Sequence, residues 1–411
     1  MNLVQRLRAV IRQYPGQFWL LFTGMLISTT GSSMIWPFLM LYVSKKLALP
    51  LAQTATLMTI NAVMGLVFSF VAGPIIDRLG RKWVMVISLV GNGFMYILLS
   101  NATTYAGFAL AQALTGALNP LYRVGADAMM ADLIPAEKRP GAYSIMRMSN
   151  NTVVAIGPAI GGIITSTSYT TAFYLAAAGM VLYGLLVALR AHETLPQQAA
   201  ASPRGNLVQS YAHIFRDKAF IGFVGSFTLT CMLASLVWSL LPVYANTSFG
   251  ISESRYGFLP TTNALMVVFL QYAVTQVTKR YKSLPVMAVG TAFYALAVSL
   301  VAFSRGYWGF WICMVIMTIG ELIISPTATT YTADLAPADM RGRYMSIYGL
   351  TWSAAMGIAP VMGGSLSDNF GPRSTWYGGA LLGLVAVLAY IVLKRRSERS
   401  LENGEPGTEN S

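Results

Sequence analysis

The chain has 411 residues, of which 55% are hydrophobic and only 10% charged, with a mean hydropathy of +0.56. A soluble domain carries about a quarter charged residues, so an ordinary soluble enzyme is excluded. At roughly 20 apolar residues per membrane crossing, a dozen crossings take about 240 residues and leave no room for a sizeable soluble domain.

The net charge of +13 falls in short clusters between apolar runs instead of along one stripe, so no nucleic-acid partner is expected. Arg6, Arg8 and Arg12 precede an apolar run that starts near Phe18 and continues to about Val43. That is too long for the core of a signal peptide and reads as a first spanning helix. Further apolar windows follow at about 51 to 76, 83 to 100, 104 to 131, 142 to 164 and 170 to 190. After a loop they resume at 219 to 245, 256 to 278, 285 to 303, 307 to 332, 343 to 366 and 374 to 393. Cys231 and Cys313 sit inside such windows and read as packed thiols, and no metal site is expected.

One set of loops holds Arg78, Arg81, Lys82, Lys138, Arg139, Lys279, Arg280, Lys282, Arg341, Arg343 and other bases, while the opposite set holds Lys45, Lys46, Arg255, Arg305 and Arg373. Positive charge marks the cytoplasmic side, so both termini are expected there, in a cell membrane, with an even number of spans.

Laying the second half under the first at an offset of 202 residues reveals a repeat. Ser33, Trp36 and Tyr42 fall over Ser235, Trp238 and Tyr244, and Asn61 falls over Asn263. The stretch from Ala131 to Arg139 matches that from Ala333 to Arg341, and Pro158, Gly161 and Gly162 fall over Pro360, Gly363 and Gly364. Six spans per repeat give both halves the same orientation, with a substrate site expected between them near the midplane. The expected organisation is an N-terminal six-helix bundle over 1–190, a cytoplasmic linker over 191–218, a C-terminal bundle over 219–394 and a cytoplasmic tail over 395–411. His192 and His213 lie in the linker and read as solvated.

Between the second and third spans the chain reads Gly73-Pro-Ile-Ile-Asp77-Arg78-Leu-Gly80-Arg81-Lys82. Gly73 permits close helix approach and Gly80 a tight turn. This resembles the loop signature of the major facilitator superfamily. The resemblance implies that Asp77 and Arg81 belong to a cytoplasmic gate that stabilises an outward-facing state, with Asp132 as the partner of Arg81. Read without it, the same charges only anchor a loop. The second-half copy is degraded, with Lys279 where the first half has Asp77.

The fifth span carries Gly157-Pro158-Ala-Ile-Gly161-Gly162, which resembles the antiporter signature of that superfamily's proton-driven drug exporters. As physics it is a close-packing face with a bend; export direction comes from the resemblance alone. The resemblance covers essentially the whole chain, and its nearest group is the twelve-span drug:proton antiporters. It implies an all-α membrane protein with two pseudo-symmetric six-helix bundles. One departure is in the fourth span, where Gln112 stands in place of an arginine common in the family. That puts the usual coupling role of the arginine in doubt or moves it to Arg123.

Charges inside spans are costly and mark function. Glu321 lies in the tenth span, about 13 residues from Trp308 or roughly 20 Å deep, with no base three or four positions away. A carboxyl there is expected to take up a proton near neutral pH and to release it when a cation or water arrives; the plainer reading is a neutral group used in packing. Its repeat counterpart is Asn119. Gln112, Asn119, Arg123 and Asp127 share one helical face, with Arg123 and Asp127 spaced either for a structural ion pair or for coupling. Arg147 can snorkel to the inner interface, although Asn150 and Asn151 beside it suit a cavity wall. Trp36, Tyr42, Trp238, Tyr244, Tyr348 and Trp352 suit either an aromatic-cation path or an interface belt.

The expectation is a proton-coupled exporter of lipophilic cations, monomeric, with no cofactor beyond the proton and only a small-molecule substrate and the bilayer as partners. Glu321, Asn119, Arg123, Asp127, Trp36, Trp238 and Asn263 are its candidate binding residues, and Gly73, Asp77, Arg78, Gly80, Arg81 and Asp132 its gate. The alternative is a carrier of sugars or other neutral metabolites that uses the amides of Asn61, Asn119, Asn263 and Gln271. No span contains a histidine and no phosphate-binding glycine loop is present, so an enzyme is not expected.

Overall fold

The computed structural model describes residues 13–195, 214–337 and 340–402. His213, most of the linker and the end of the tail therefore lie outside the described residues. Within them the regular structure is helical: α1 Gly16–Ile35, α2 Leu39–Leu47, α3 Leu51–Leu79, α4 Arg81–Asn101, α5 Tyr105–Leu133, α6 Arg139–Thr167 and α7 Tyr169–Arg190. The series continues with α8 Lys218–Phe249, α9 Glu253–Tyr256, α10 Phe258–Thr278, α11 Ser283–Val301, α12 Tyr307–Leu335, α13 Arg341–Phe370 and α14 Ser374–Glu402. A 3-10 turn at Trp36–Phe38, which contains Pro37, joins α1 to α2, and Gly16–Leu47 is a single candidate span.

Helix starts follow side-chain caps. Thr104 accepts from Gly107 N at 3.2 Å, Ser168 from Thr171 N at 3.1 Å and Asp217 from Phe220 N at 3.0 Å. Helix α8 stops at Gly250, whose left-handed φ of 62° lets the chain reverse.

Nine of the described helical stretches are long and apolar enough to cross a membrane by length and composition. The three long helices that fall short are α5, α6 and α13. These carry Asn119, Arg123 and Asp127, then Arg147, Asn150 and Asn151, then the polar and small residues around Trp352. A spanning helix can hold such residues only where it faces protein or water.

The chain divides into two compact units, Met1–Leu39 with Ile60–Ser202, and Met40–Thr59 with Pro203–Ser411. In the first, α1 packs on α6 and α7, and α4 packs on α5 and α7. Phe18, Leu21, Met85, Leu89, Met129, Tyr183 and Val187 form part of its core. In the second, α8 packs on α13 and α14, and α11 packs on α12 and α14. These are the same pairings moved by one repeat.

Met40–Thr59, which the repeat places in the N-terminal half, packs with the second unit. The Asp368 carboxylate accepts from Leu51 N at 3.0 Å and Ala52 N at 2.8 Å, capping α3 from the end of α13. Lys45 pairs with the largely buried Glu253 at 2.6 Å. Gly364 lies so close to Ala52 that a Cβ would stand 2.7 Å from its backbone nitrogen.

Candidate functional site

The second unit contains a cavity of about 220 Å³ lined by α8, α11, α12 and α13. Phe227, Trp238, Tyr294, Tyr348 and Trp352 form aromatic walls, and Thr230, Cys231, Ser325 and Thr351 supply small polar groups. Glu321 is the acid among the lining residues, which include no lysine, arginine or histidine. The wall is held from behind: Phe227 stacks on Tyr348 with ring centroids 5.0 Å apart, and Thr230 and Thr291 share a hydrogen bond of 3.0 Å.

Asn263, on α10, reaches the same acid. Its Nδ2 donates to Glu321 Oε2 at 2.7 Å and to Thr318 Oγ1 at 2.9 Å. Trp238 lines the cavity, whereas its repeat partner Trp36 belongs to the first unit and is 43% exposed. Tyr244 lies elsewhere, packed among Phe249, Phe310 and Trp376, and Tyr42 is buried and accepts from Lys46 Nζ at 2.7 Å. Of the six aromatics singled out in the sequence, Trp238, Tyr348 and Trp352 therefore share the site of Glu321.

In the first unit Asn119, Arg123 and Asp127 are all exposed along one face of α5, and Arg147 is exposed on α6. Gln112 differs: it is buried, its carbonyl oxygen accepting from Asn61 Nδ2 at 3.0 Å. Arg123 and Asp127 make no salt bridge within 4.0 Å despite their i, i+4 spacing. Their i, i+4 spacing therefore does not close into a direct ion pair in this arrangement. Asn150 accepts a long hydrogen bond of 3.4 Å from Thr29 on α1.

The loop signature forms a compact turn. Gly80 has φ of 86°, a region in which side-chain-bearing residues are strained, and it opens α4. Arg81 forms an ion pair with Asp132 at the end of α5. Asp77 and Arg78 are exposed. Gly73 has nothing within 4 Å of the place a Cβ would occupy, so no close helix approach is made at that point in this arrangement.

Sequence reasoning missed Glu193, which follows α7. Its carboxylate accepts from Arg81 N at 3.0 Å and Lys82 N at 3.1 Å, and also from Thr194 N and Leu195 N at 2.9 and 3.1 Å. Partial burial alone would raise its pKa, but these four amides together outweigh that and hold it below the ordinary carboxylate value. Gln17 on α1 grips the neighbouring His192 backbone twice, at 2.9 and 3.1 Å. The signal available beforehand was only a glutamate shortly after a span, and it gave no hint of a cap 112 residues away.

The antiporter signature is a packing device. A Cβ on Gly157 would overlap the Ser33 side chain, and one on Gly161 would overlap the Met34 backbone, so both glycines let α6 approach α1 closely. Pro158 lies inside α6 and Gly162 is buried beside it. In the second repeat Pro360 lies inside α13, and Gly363 faces Leu236 and Leu240 of α8.

The family model of the Major Facilitator Superfamily matches this chain twice, over residues 21–236 and 224–410. The chain belongs to the major facilitator superfamily. It is accordingly a multi-pass membrane transporter with twelve transmembrane helices in two pseudo-symmetric six-helix bundles. Among its relatives is a Na(+), Li(+), K(+)/H(+) antiporter of Planococcus maritimus, 26% identical over 407 residues, covering 90% of this chain and 93% of the relative. Another is the quinolone resistance protein NorA of Staphylococcus aureus, 22% identical over 375 residues, covering 90% and 96%. Of solved structures, the nucleoside transporter NupG superposes with a TM-score of 0.79 at 13% identity, covering 92% of this chain and 99% of that one. A POT family transporter in complex with a thioalcohol-conjugated peptide gives 0.77 at 17%, covering 94% and 96%. At these identities the structural likeness speaks for the fold alone.

Proposed function

We propose that this transporter exports lipophilic cations in exchange for protons, in a cell membrane with both termini cytoplasmic. Glu321 is its shared proton and cation site, and the turn of Asp77, Arg81 and Asp132 is its cytoplasmic gate. The observation that carries the reading is a single carboxyl in an aromatic cavity without a basic group. Such a carboxyl can hold a proton or face a cation, but not both, which is the exclusion an exchanger requires. The aromatic faces of Trp238, Tyr348 and Trp352 attract organic cations through their ring quadrupoles. The NorA relative, named for quinolone resistance, agrees with a drug-like substrate.

The alkali-cation antiporter relative supports a second reading, in which Glu321 and the hydroxyls of Thr230, Ser325 and Thr351 face an inorganic ion. The neutral-metabolite reading has less support. Three of the four amides on which it depends are engaged between helices, Asn61 with Gln112, Gln271 with the Leu322 carbonyl at 2.9 Å, and Asn263 with Glu321 and Thr318, while Asn119 is exposed.

Purified protein in liposomes with an imposed pH gradient tests this, using ethidium as the transported cation. Gradient-driven ethidium movement is expected, with loss of at least tenfold in Glu321→Gln. Equal movement in both proteins removes Glu321 from the mechanism. Proton exchange driven by sodium or potassium but not by ethidium selects the second reading.

A further inference from the structure

The two oxygens of Glu321 have different surroundings. Oε2 accepts from Asn263 Nδ2 at 2.7 Å, whereas Oε1 takes no hydrogen bond among the described residues. The orientation of the Asn263 amide is itself fixed. Thr318 uses its own hydroxyl hydrogen on the Met314 carbonyl at 2.7 Å, so its oxygen is left to accept, and it accepts from the same Nδ2 at 2.9 Å. Both hydrogens of the amide nitrogen are thereby committed, one to Thr318 and one to the carboxyl. Asn263 and Thr318 are 7% and 0% exposed, so water does not compete for these bonds.

We propose that Asn263 is a positioning residue for transport: it anchors Oε2, with Thr318 fixing the amide, and leaves Oε1 as the one atom at which proton and cation replace each other. This rests on the reading of Glu321 as the coupling acid. The gain is directional. A carboxyl able to turn freely could release its proton from either oxygen, but one held at Oε2 presents the same oxygen in every cycle. The repeat partner Asn61 also bridges two helices, to Gln112, yet the position equivalent to Glu321 there is Asn119. The bridge belongs to both halves, and its use on an acid is confined to the second.

The other titratable groups that line the cavity are Tyr294 on α11, Cys231 on α8 and Tyr348 on α13, with no charged residue besides Glu321. None of them bonds to Oε1, and comparison with the Glu321→Gln background separates the part of a transport pH profile that belongs to Glu321 from what other groups contribute.

The test measures ethidium transport by full-length protein in liposomes against pH, for wild type, Asn263→Leu, Thr318→Val and each combined with Glu321→Gln. An N–H bond to a carboxylate favours its charged form. Loss of the bond in Asn263→Leu is expected to move the midpoint upward by about one to two pH units. Thr318→Val, which keeps the side-chain volume and removes only the hydroxyl, is expected to move it the same way by less. Residual transport in the Glu321→Gln background is expected to ignore both changes. A midpoint unmoved in Thr318→Val and in folded Asn263→Leu overturns the positioning role even if Glu321→Gln abolishes coupling. Equal shifts with and without Glu321 also overturn it. A wild-type profile in Glu321→Gln instead removes the underlying reading.

Discussion

Glu193 shows what a single side chain can organise. One carboxylate closes four backbone amides, two of them at the start of α4, where the helix dipole favours negative charge. Glu193→Gln is expected to lower Tm by about 2 °C at pH 7, the scale of roughly 1 kcal/mol for a partly exposed cap. Its pKa is lowered in the folded state, so the stabilisation is present above the ordinary glutamate value of 4.5 and lost as pH falls below it. Melting curves of the two proteins should differ at pH 7 and converge near pH 3. Asp132→Asn acts on the neighbouring ion pair and leaves the mostly buried Arg81 guanidinium without its carboxylate. A loss of about 1 to 3 kcal/mol is expected, read as a lower denaturation midpoint. Glu321 was legible because an isolated charge in an apolar run is a local signal, and the pairing of Arg81 with Asp132 came from the family resemblance of the loop signature. Glu193 was illegible because its partners are close only after α4 and α7 have packed.

Among the elements, the glycine positions separate motif from contact. Gly161→Ala drives a methyl group into the Met34 backbone, which cannot move without separating α1 from α6. A loss of more than about 2 kcal/mol is expected, checked by thermal melting in detergent. Gly73→Ala meets open space and should change stability by less than about 0.5 kcal/mol, although Gly73 belongs to the more recognisable motif. If Gly73→Ala abolished transport with stability intact, the glycine would be needed in another state of the cycle. The sequence shows that a glycine is present; whether a neighbour comes close depends on which helices meet, as at Gly161 and not at Gly73. The same limit applies to Arg123 and Asp127, whose spacing allows a direct pair that the side chains do not form within 4.0 Å. The low hydropathy of α5, α6 and α13 was legible as polarity and becomes intelligible as helices whose polar faces avoid lipid.

At the scale of the whole molecule, the 202-residue repeat carried most of what could be foreseen. Equivalent helices pair in both units where equivalent glycines sit at the contact, Gly161 of α6 against α1 and Gly363 of α13 against α8. The grouping of Met40–Thr59 with the second unit could not be read in this way, since it depends on Asp368 capping a helix more than 300 residues earlier in the chain. The attachment of residues 191–195 gives a further expectation. Two glycines inserted between Ala191 and His192 should pull Glu193 off α4 and lower Tm as Glu193→Gln does, while the same insertion after Leu195 should leave Tm unchanged.

That attachment also decides where the first bundle ends. The helical part of α7 stops at Arg190, but the grips of Gln17 and Glu193 carry the bundle's ordered edge on through His192 and Glu193. Fully extended, the five residues from Ala191 to Leu195 could reach about 17 Å, at roughly 3.4 Å each. Two polar side chains turn that reach into a hem sewn to the starts of α1 and α4.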